Sequence, residues 1–184
     1  MMSPTHIGVG ITLATIMFPI APEFAVIAAI GGIAGGIFPD LDLFVGVHRK
    51  TLHFPVYYWI PTVLSIGAAV YSLSSLTVFL SFFFVSAAIH SGMDWFGAGP
   101  EPRPWNKESQ EAVYAHTHRR WLAPKYWIRY DGAPEDLFLS IVLIVPGIIL
   151  FTEPIPVLAT VALVVGILYV AIRKEIPDRF GDRI

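Results

Sequence analysis

The sequence predicts an all-α, polytopic membrane protein with about six transmembrane helices and a cytoplasmic loop between the fourth and fifth. Three observations predict it. Apolar residues make up 55% of the 184, above the roughly 45–50% of a soluble domain, and mean hydropathy is +0.64. The excess is gathered into six runs, the pattern that spans of hydrocarbon require. Threading six spans puts all 12 Lys and Arg on the side of the N-terminus, while the opposite turns carry Glu23 and Glu153. That asymmetry predicts an inner-membrane, multi-pass chain with both termini cytoplasmic.

The first span is expected over residues 7–22, closed by Glu23, and the second over 24–38. Both are short for a crossing of about 20 residues. The second contains Gly31, Gly32, Gly35 and Gly36, two overlapping GxxxG spacings that let another backbone approach a helix face. The third span covers 55–73, with Pro61 able to kink it. A turn at 72–75 leads to the fourth, 76–93, which holds Phe82, Phe83 and Phe84. The fifth and sixth cover 137–151 and 157–172, and a polar tail follows.

Residues 95–135 form the long polar segment. GAGPEPRP opens it as loop, a short helix is expected over 107–113, and HRRWLAPKYWIRY mixes basic residues with Trp121, Tyr126, Trp127 and Tyr130. Trp and Tyr favour the membrane–water interface and Lys and Arg snorkel there, so this loop is expected on the headgroup layer, with membrane lipid as its partner. The net charge of −2 does not favour nucleic acid. The absence of cysteine excludes disulfides, thiolate–zinc sites and cysteine nucleophiles. The first residues, MMSPTHIG, lack the basic start of a secretory signal, so the N-terminus is expected to be retained.

The chemistry-bearing residues gather at helix ends on one side. His90 and Asp94 stand i, i+4 at the end of the fourth span, on one helix face. Asp40 and Asp42 follow the second span on a turn that Pro39 favours. His48 and His53 follow in the same loop, and His6 stands at the start of the first span. Ionisable groups at such positions are costly unless paired or metal-bound. Imidazole and carboxylate suit zinc, with manganese or iron as alternatives. The number of candidate ligands allows one or two divalent ions. Arg49 and Lys50 beside them could meet an anionic oxygen. His116 and His118, at i, i+2, could complete a second site or lie at the surface.

Four blocks carry a family resemblance: Thr5-His6, PDLD at 39–42, HRKTLH at 48–53, and HSGMD at 90–94. In content and order they resemble the YdjM-type (DUF457) family, described as metal-dependent hydrolases of the inner membrane. The resemblance covers residues 1–95 by motif. It implies metal ligands at His6, Asp40, Asp42, His48, His53, His90 and Asp94, and matches Arg49 to the arginine of the third block. Lys50 and Leu52 depart from the glycine and threonine usual there.

The function expected is a membrane-bound metal-dependent hydrolase acting at the cytoplasmic face on a lipid-linked or phosphoester substrate. Asp42 or Asp94 would take a proton and Arg49 would orient the substrate. The alternatives are a metal ion or proton transporter, and a non-catalytic membrane protein with a structural metal. A transporter calls for ionisable groups at mid-span, and the cores of the six runs lack Asp, Glu, Lys, Arg and His.

Overall fold

The computed structural model describes residues 1–180; the end of the polar tail, including Arg183, lies outside them. The fold is mostly helical: α1 Ser3–Ala14, α2 Met17–Ile20, α3 Ala25–Ile37, α4 Trp59–Tyr71, α5 Ser75–Met93, α6 Pro134–Leu150, α7 Ile155–Ile172 and α8 Ile176–Phe180. With their short extensions, four helical segments are long and apolar enough to cross a membrane: Ser3–Ile20, Pro22–Leu43, Ser75–Phe96 and Ile155–Ile172. Helices α4 and α6 are shorter, at 13 and 17 residues.

Local chemistry explains the helix starts. Pro4 and Pro134 occupy first-turn positions, where a missing N–H costs nothing. Ser74 and Thr77 form a reciprocal capping box at the start of α5, each side chain satisfying the other's backbone N–H.

Helix α3 is the centre of the bundle. Its glycines divide into two faces. Gly32 and Gly36 meet α1: a Cβ on Gly32 would stand 2.5 Å from the Gly10 carbonyl oxygen, and one on Gly36 would stand 2.6 Å from that of His6. Gly31 and Gly35 meet α5, where a Cβ would lie 2.5 Å from the Phe79 oxygen and closer still to that of Phe83. The contact order makes α3 antiparallel to α1 and parallel to α5. Helix α1 also packs parallel to α6, with Thr5 opposite Ser140 and Ile11 against Gly147.

A buried carboxylate secures that last pair. Asp136 accepts from Thr5 Oγ1 at 2.6 Å, from the Met2 amide at 2.9 Å and from the Gly132 amide at 3.0 Å. Three donors thus satisfy the fully buried carboxyl group, which is what makes its burial tolerable.

The polar segment differs from the expected helix over 107–113. A left-handed Lys107 follows a single 3-10 turn at Pro104–Asn106. The chain then forms a two-stranded hairpin, β1 Val113–Ala115 with β2 Arg120–Leu122, in register Val113 to Leu122. Val113 and Ala115 are buried on one face of the strand, a period of two that favours strand over helix.

Adding a methyl group at Gly35 drives it into main chain, which cannot rotate away. Gly35→Ala is expected to cost about 1–3 kcal/mol and to lower the thermal unfolding temperature in detergent. Gly67→Ala on α4, whose Cβ would meet nothing within 4 Å, is expected to leave it unchanged.

Candidate metal centre

The α1–α3–α5 packing brings three helix ends together. His6 from α1 stacks on His90 from α5, ring centroids 3.6 Å apart. Asp40 arrives on the 3-10 turn Phe38–Leu43 that continues α3. Asp94 follows His90 by one helical turn, as i, i+4 spacing requires, with its carboxylate 3.7 Å from the His90 ring. His53 closes the group from the loop after Asp42.

Among the described residues, Asp40, His53, His90 and Asp94 each offer one ligand atom, all within 4.8 Å of one another. His90 Nε2 lies 3.2 Å from Asp40 Oδ1, and His53 Nε2 lies 3.2 Å from Asp94 Oδ2 and 3.8 Å from Asp40 Oδ1. Ligand atoms around a tetrahedral ion at about 2.0–2.2 Å stand about 3.3–3.6 Å apart, so the set fits a divalent cation after small adjustments. His53, His90 and Asp94 are buried; Asp40 is the half-open member.

The hydrogen bonds behind the ligand atoms also suit an ion. His90 Nδ1 donates to the Gly36 carbonyl at 2.7 Å. His53 Nδ1 donates to Asp42 Oδ2 at 2.8 Å. Each bond fixes the ring and turns Nε2 inward, the arrangement that histidine metal ligands require. His90 Nε2 has no hydrogen-bond partner despite full burial. Neither nitrogen of His6 has one, although its Nε2 lies 3.3 Å from Asp94 Oδ1. Buried orphan imidazole nitrogens beside carboxylates are what a cation would satisfy.

Burial acts against a charge on His53, but its hydrogen bonds to Asp42 and Asp94 outweigh it and hold the imidazole above its ordinary pKa. Asp94 also receives the Met1 amino group at 2.7 Å and faces Arg49 Nε at 3.6 Å. The two carboxylate oxygens thus face different neighbours, Oδ1 toward His6 and Oδ2 toward His53 and His90.

Four sequence-predicted residues stand outside the four-residue set, His6 among them, stacked on His90 beside it. Asp42 stands outside the four-residue set: it accepts from both His53 Nδ1 and His48 Nδ1 (2.9 Å), and from the Leu52 amide at 3.3 Å. His48 points beside the set, about a quarter exposed. Arg49 is buried; its Nη1 donates to the carbonyls of Ala98 and Ala112, its Nε faces Asp94, and it lines the adjoining cavity.

The loop geometry absorbs the two unusual residues. Its left-handed non-glycine residue is Arg49, at φ 60°, so lysine at position 50 meets no such constraint. Thr51, not residue 52, supplies a hydroxyl: its Oγ1 accepts from the Val47 amide at 2.8 Å.

Sequence reasoning missed the bracing of this loop by the hairpin. The Tyr114 amide donates to the Arg49 carbonyl at 3.0 Å. His116 Nε2 donates to the Lys50 carbonyl at 2.8 Å, and its ring packs 4.6 Å from that of Phe54. His116 therefore supports the ligand loop, while His118 is exposed beside Thr117; neither joins the cluster.

A cavity of about 620 Å³ borders the centre; its lining includes Asp40, His48 and Arg49, apolar side chains such as Leu43, Val47 and Val165, and the charged groups Glu101, Glu111, Asp131 and Arg173. Its size is in the range of small-molecule sites. No family model, curated protein or solved structure matches the chain.

Replacing Asp42 with asparagine removes the carboxylate behind His53 without touching the four inner groups. Asp42→Asn is expected to weaken zinc binding by about 10–100-fold, read by competition with a chelating dye. His118→Ala should leave the affinity unchanged.

Proposed function

We propose that this chain is a membrane-bound metal-dependent hydrolase, of the kind the YdjM-type resemblance implies, acting on a lipid-linked or phosphoester substrate at the cytoplasmic face. The observation that carries the reading is the convergence of Asp40, His53, His90 and Asp94 from separate helix ends onto one point beside an open cavity. A purely structural metal would need the convergence but not the cavity.

The topology proposed is six spans, with α4 and α6 crossing as well as the four longer segments. The parallel packing of α1 with α6 and of α3 with α5 supports it, because odd spans share one direction and even spans the other. The outward apolar residues Val63, Leu64 and Val70 of α4, and Phe138 and Ile149 of α6, are suited to lipid. Both termini and the 95–135 loop then lie on the cytoplasmic side, where the basic residues gather.

Asp40, His53, His90 and Asp94 would hold the ion, zinc being the best match to the mixed imidazole and carboxylate donors. His6, facing the second oxygen of Asp94, would hold a second ion. Such ions supply Lewis acidity and lower the pKa of water. The chain's own groups do the remaining work. Asp42 holds the His53 and His48 rings in orientation. His48, hydrogen-bonded through Nδ1 and open to the cavity, is the group best set to move a proton at its Nε2. Arg49 fixes the loop and balances the Asp94 charge.

The test uses the full chain purified in detergent without chelator. Stoichiometric zinc by elemental analysis is expected, with hydrolysis of a phosphomonoester that chelation abolishes and zinc restores. Asp94→Asn is expected to lose both metal and activity. A folded wild-type protein that binds no divalent ion, or binds it and hydrolyses no phosphoester, overturns the reading.

A further inference from the structure

The loop that carries Asp42 and His48 has its polarity reversed. Asp42 is buried, and His48 turns its Nδ1 inward onto it. The residues facing outward are hydrocarbon: Leu41, Leu43, Phe44, Val45 and Val47 are 42%, 55%, 84%, 69% and 53% exposed. No charged residue stands between Asp42 and Arg49. Local bonds hold this shape. Gly46 turns the chain at φ 108°, the Val47 amide donates to Thr51 Oγ1 at 2.8 Å, and the amides of Lys50 and Thr51 donate to the Val47 carbonyl at 3.1 and 3.0 Å. A contiguous apolar patch is unfavourable in water and favourable in the acyl boundary of a bilayer.

Helix packing gives the patch its depth. A Cβ on Gly166 of α7 would stand 3.4 Å from the Pro4 Cβ of α1, and lower down Ile11 and Ala159 meet at Gly147. Helices α1 and α7 therefore run antiparallel, with Ser3 about level with Ile167. Ser3 Oγ donates to Asp40 at 2.5 Å. The loop thus leaves α3 five residues inside the end of α7, about 8 Å at 1.5 Å per residue. The 3-10 turn Phe38–Leu43 then climbs about 2 Å per residue, about 6 Å from Asp40 to Leu43, so Leu43 stands near the level of Ile172. Ile172 closes the candidate span Ile155–Ile172, and Arg173 and Lys174 follow it. In a spanning helix that level is where hydrocarbon gives way to head groups. Leu43 itself closes the candidate span Pro22–Leu43, so the patch is continuous with surface that lipid covers.

We propose that residues 41–47 are a bilayer-contact surface, seated at the boundary between acyl chains and head groups. The proposal rests on α3 and α7 crossing the membrane and not on the hydrolase reading. Its consequence concerns the metal centre. Asp42 and His48 point inward from a segment whose outer side lipid covers. The loop behind His53 is therefore held from two sides, by the hairpin at residues 49 and 50 and by the bilayer at 41–47.

The chain has no cysteine, so single probes can be placed cleanly. Phe44→Cys and Val45→Cys of the full chain, each carrying an environment-sensitive bimane, are reconstituted in phosphatidylcholine nanodiscs holding one or two copies; either position serves if the other variant does not fold. The lipid carries bromine near the ester end or near the methyl end of its acyl chains. Val161→Cys, exposed on α7 eleven residues before Ile172, is the deep reference, and the free bimane–cysteine conjugate is the aqueous one. At positions 44 and 45 the emission is expected to shift to the blue. Bromine near the ester end should quench it more than bromine near the methyl end, the reverse of the order at Val161, and iodide should quench it less than the free conjugate. Iodide quenching equal to that of the free conjugate, with no loss to bromine, places the loop in water and overturns the proposal. Shielding from iodide without bromine quenching also overturns it, in favour of a protein cover; if that shielding is confined to discs with two copies, the cover is a second copy of this chain. Stronger quenching by the methyl-end bromine overturns the boundary depth. Ester-end quenching on a protein that binds no zinc defeats the hydrolase reading and leaves the contact surface standing. Zinc-dependent hydrolysis by a protein whose loop lies in water does the reverse.

Discussion

Main chain against main chain is the contact on which this structure depends. In hydrocarbon no hydrophobic effect draws helices together, so close packing and polar contacts must. Gly32 and Gly36 let α1 approach α3 from one side, and Gly31 and Gly35 admit α5 on the other. With ordinary side chains at these four positions, α1 and α5 would stand further apart. The same approach stacks His6 on His90 and lets His90 Nδ1 reach the carbonyl of Gly36. The glycines at the helix interface and the imidazoles at the helix ends are thus parts of one arrangement.

What that arrangement assembles is a concentration of buried charge. Two carboxylates and three imidazoles share a space from which water is largely excluded. Carboxylates at such a position must be balanced. Arg49 and the Met1 amino group supply part of the balance. The orphan nitrogens of His6 and His90 show that hydrogen bonding within the protein does not complete it. A divalent cation would meet both needs at once.

The helical architecture was largely legible in the sequence, because apolar runs of membrane length have few other uses. So was most of the cluster: His90 and Asp94 follow from helical spacing, and Asp40 and His53 from their places at the ends of runs. The finer division of labour was not legible. Asp42 differs from Asp40 by one alternation on a tight turn, which aims one carboxylate at the cluster and the other at the back of His53. Nothing in PDLD itself says which is which. The anchoring of Arg49 on the carbonyls of Ala98 and Ala112 was not legible either, because these are main-chain groups distant in sequence. The hairpin escaped notice because its strands are three residues long, too short for a period-two pattern to stand out. The role of His116 depends on that hairpin and was hidden with it.

The hairpin grips the ligand loop through its backbone. Tyr114 and His116 bond to the carbonyls of residues 49 and 50, groups that every amino acid carries. The path of the loop is therefore held while the side chains along it stay free to change. Lysine can stand at position 50 without disturbing Asp42, His48 or His53. Variation at such positions could retune what the cavity accepts while leaving the ion-binding framework intact, a separation between the part of a site that must persist and the part that can drift.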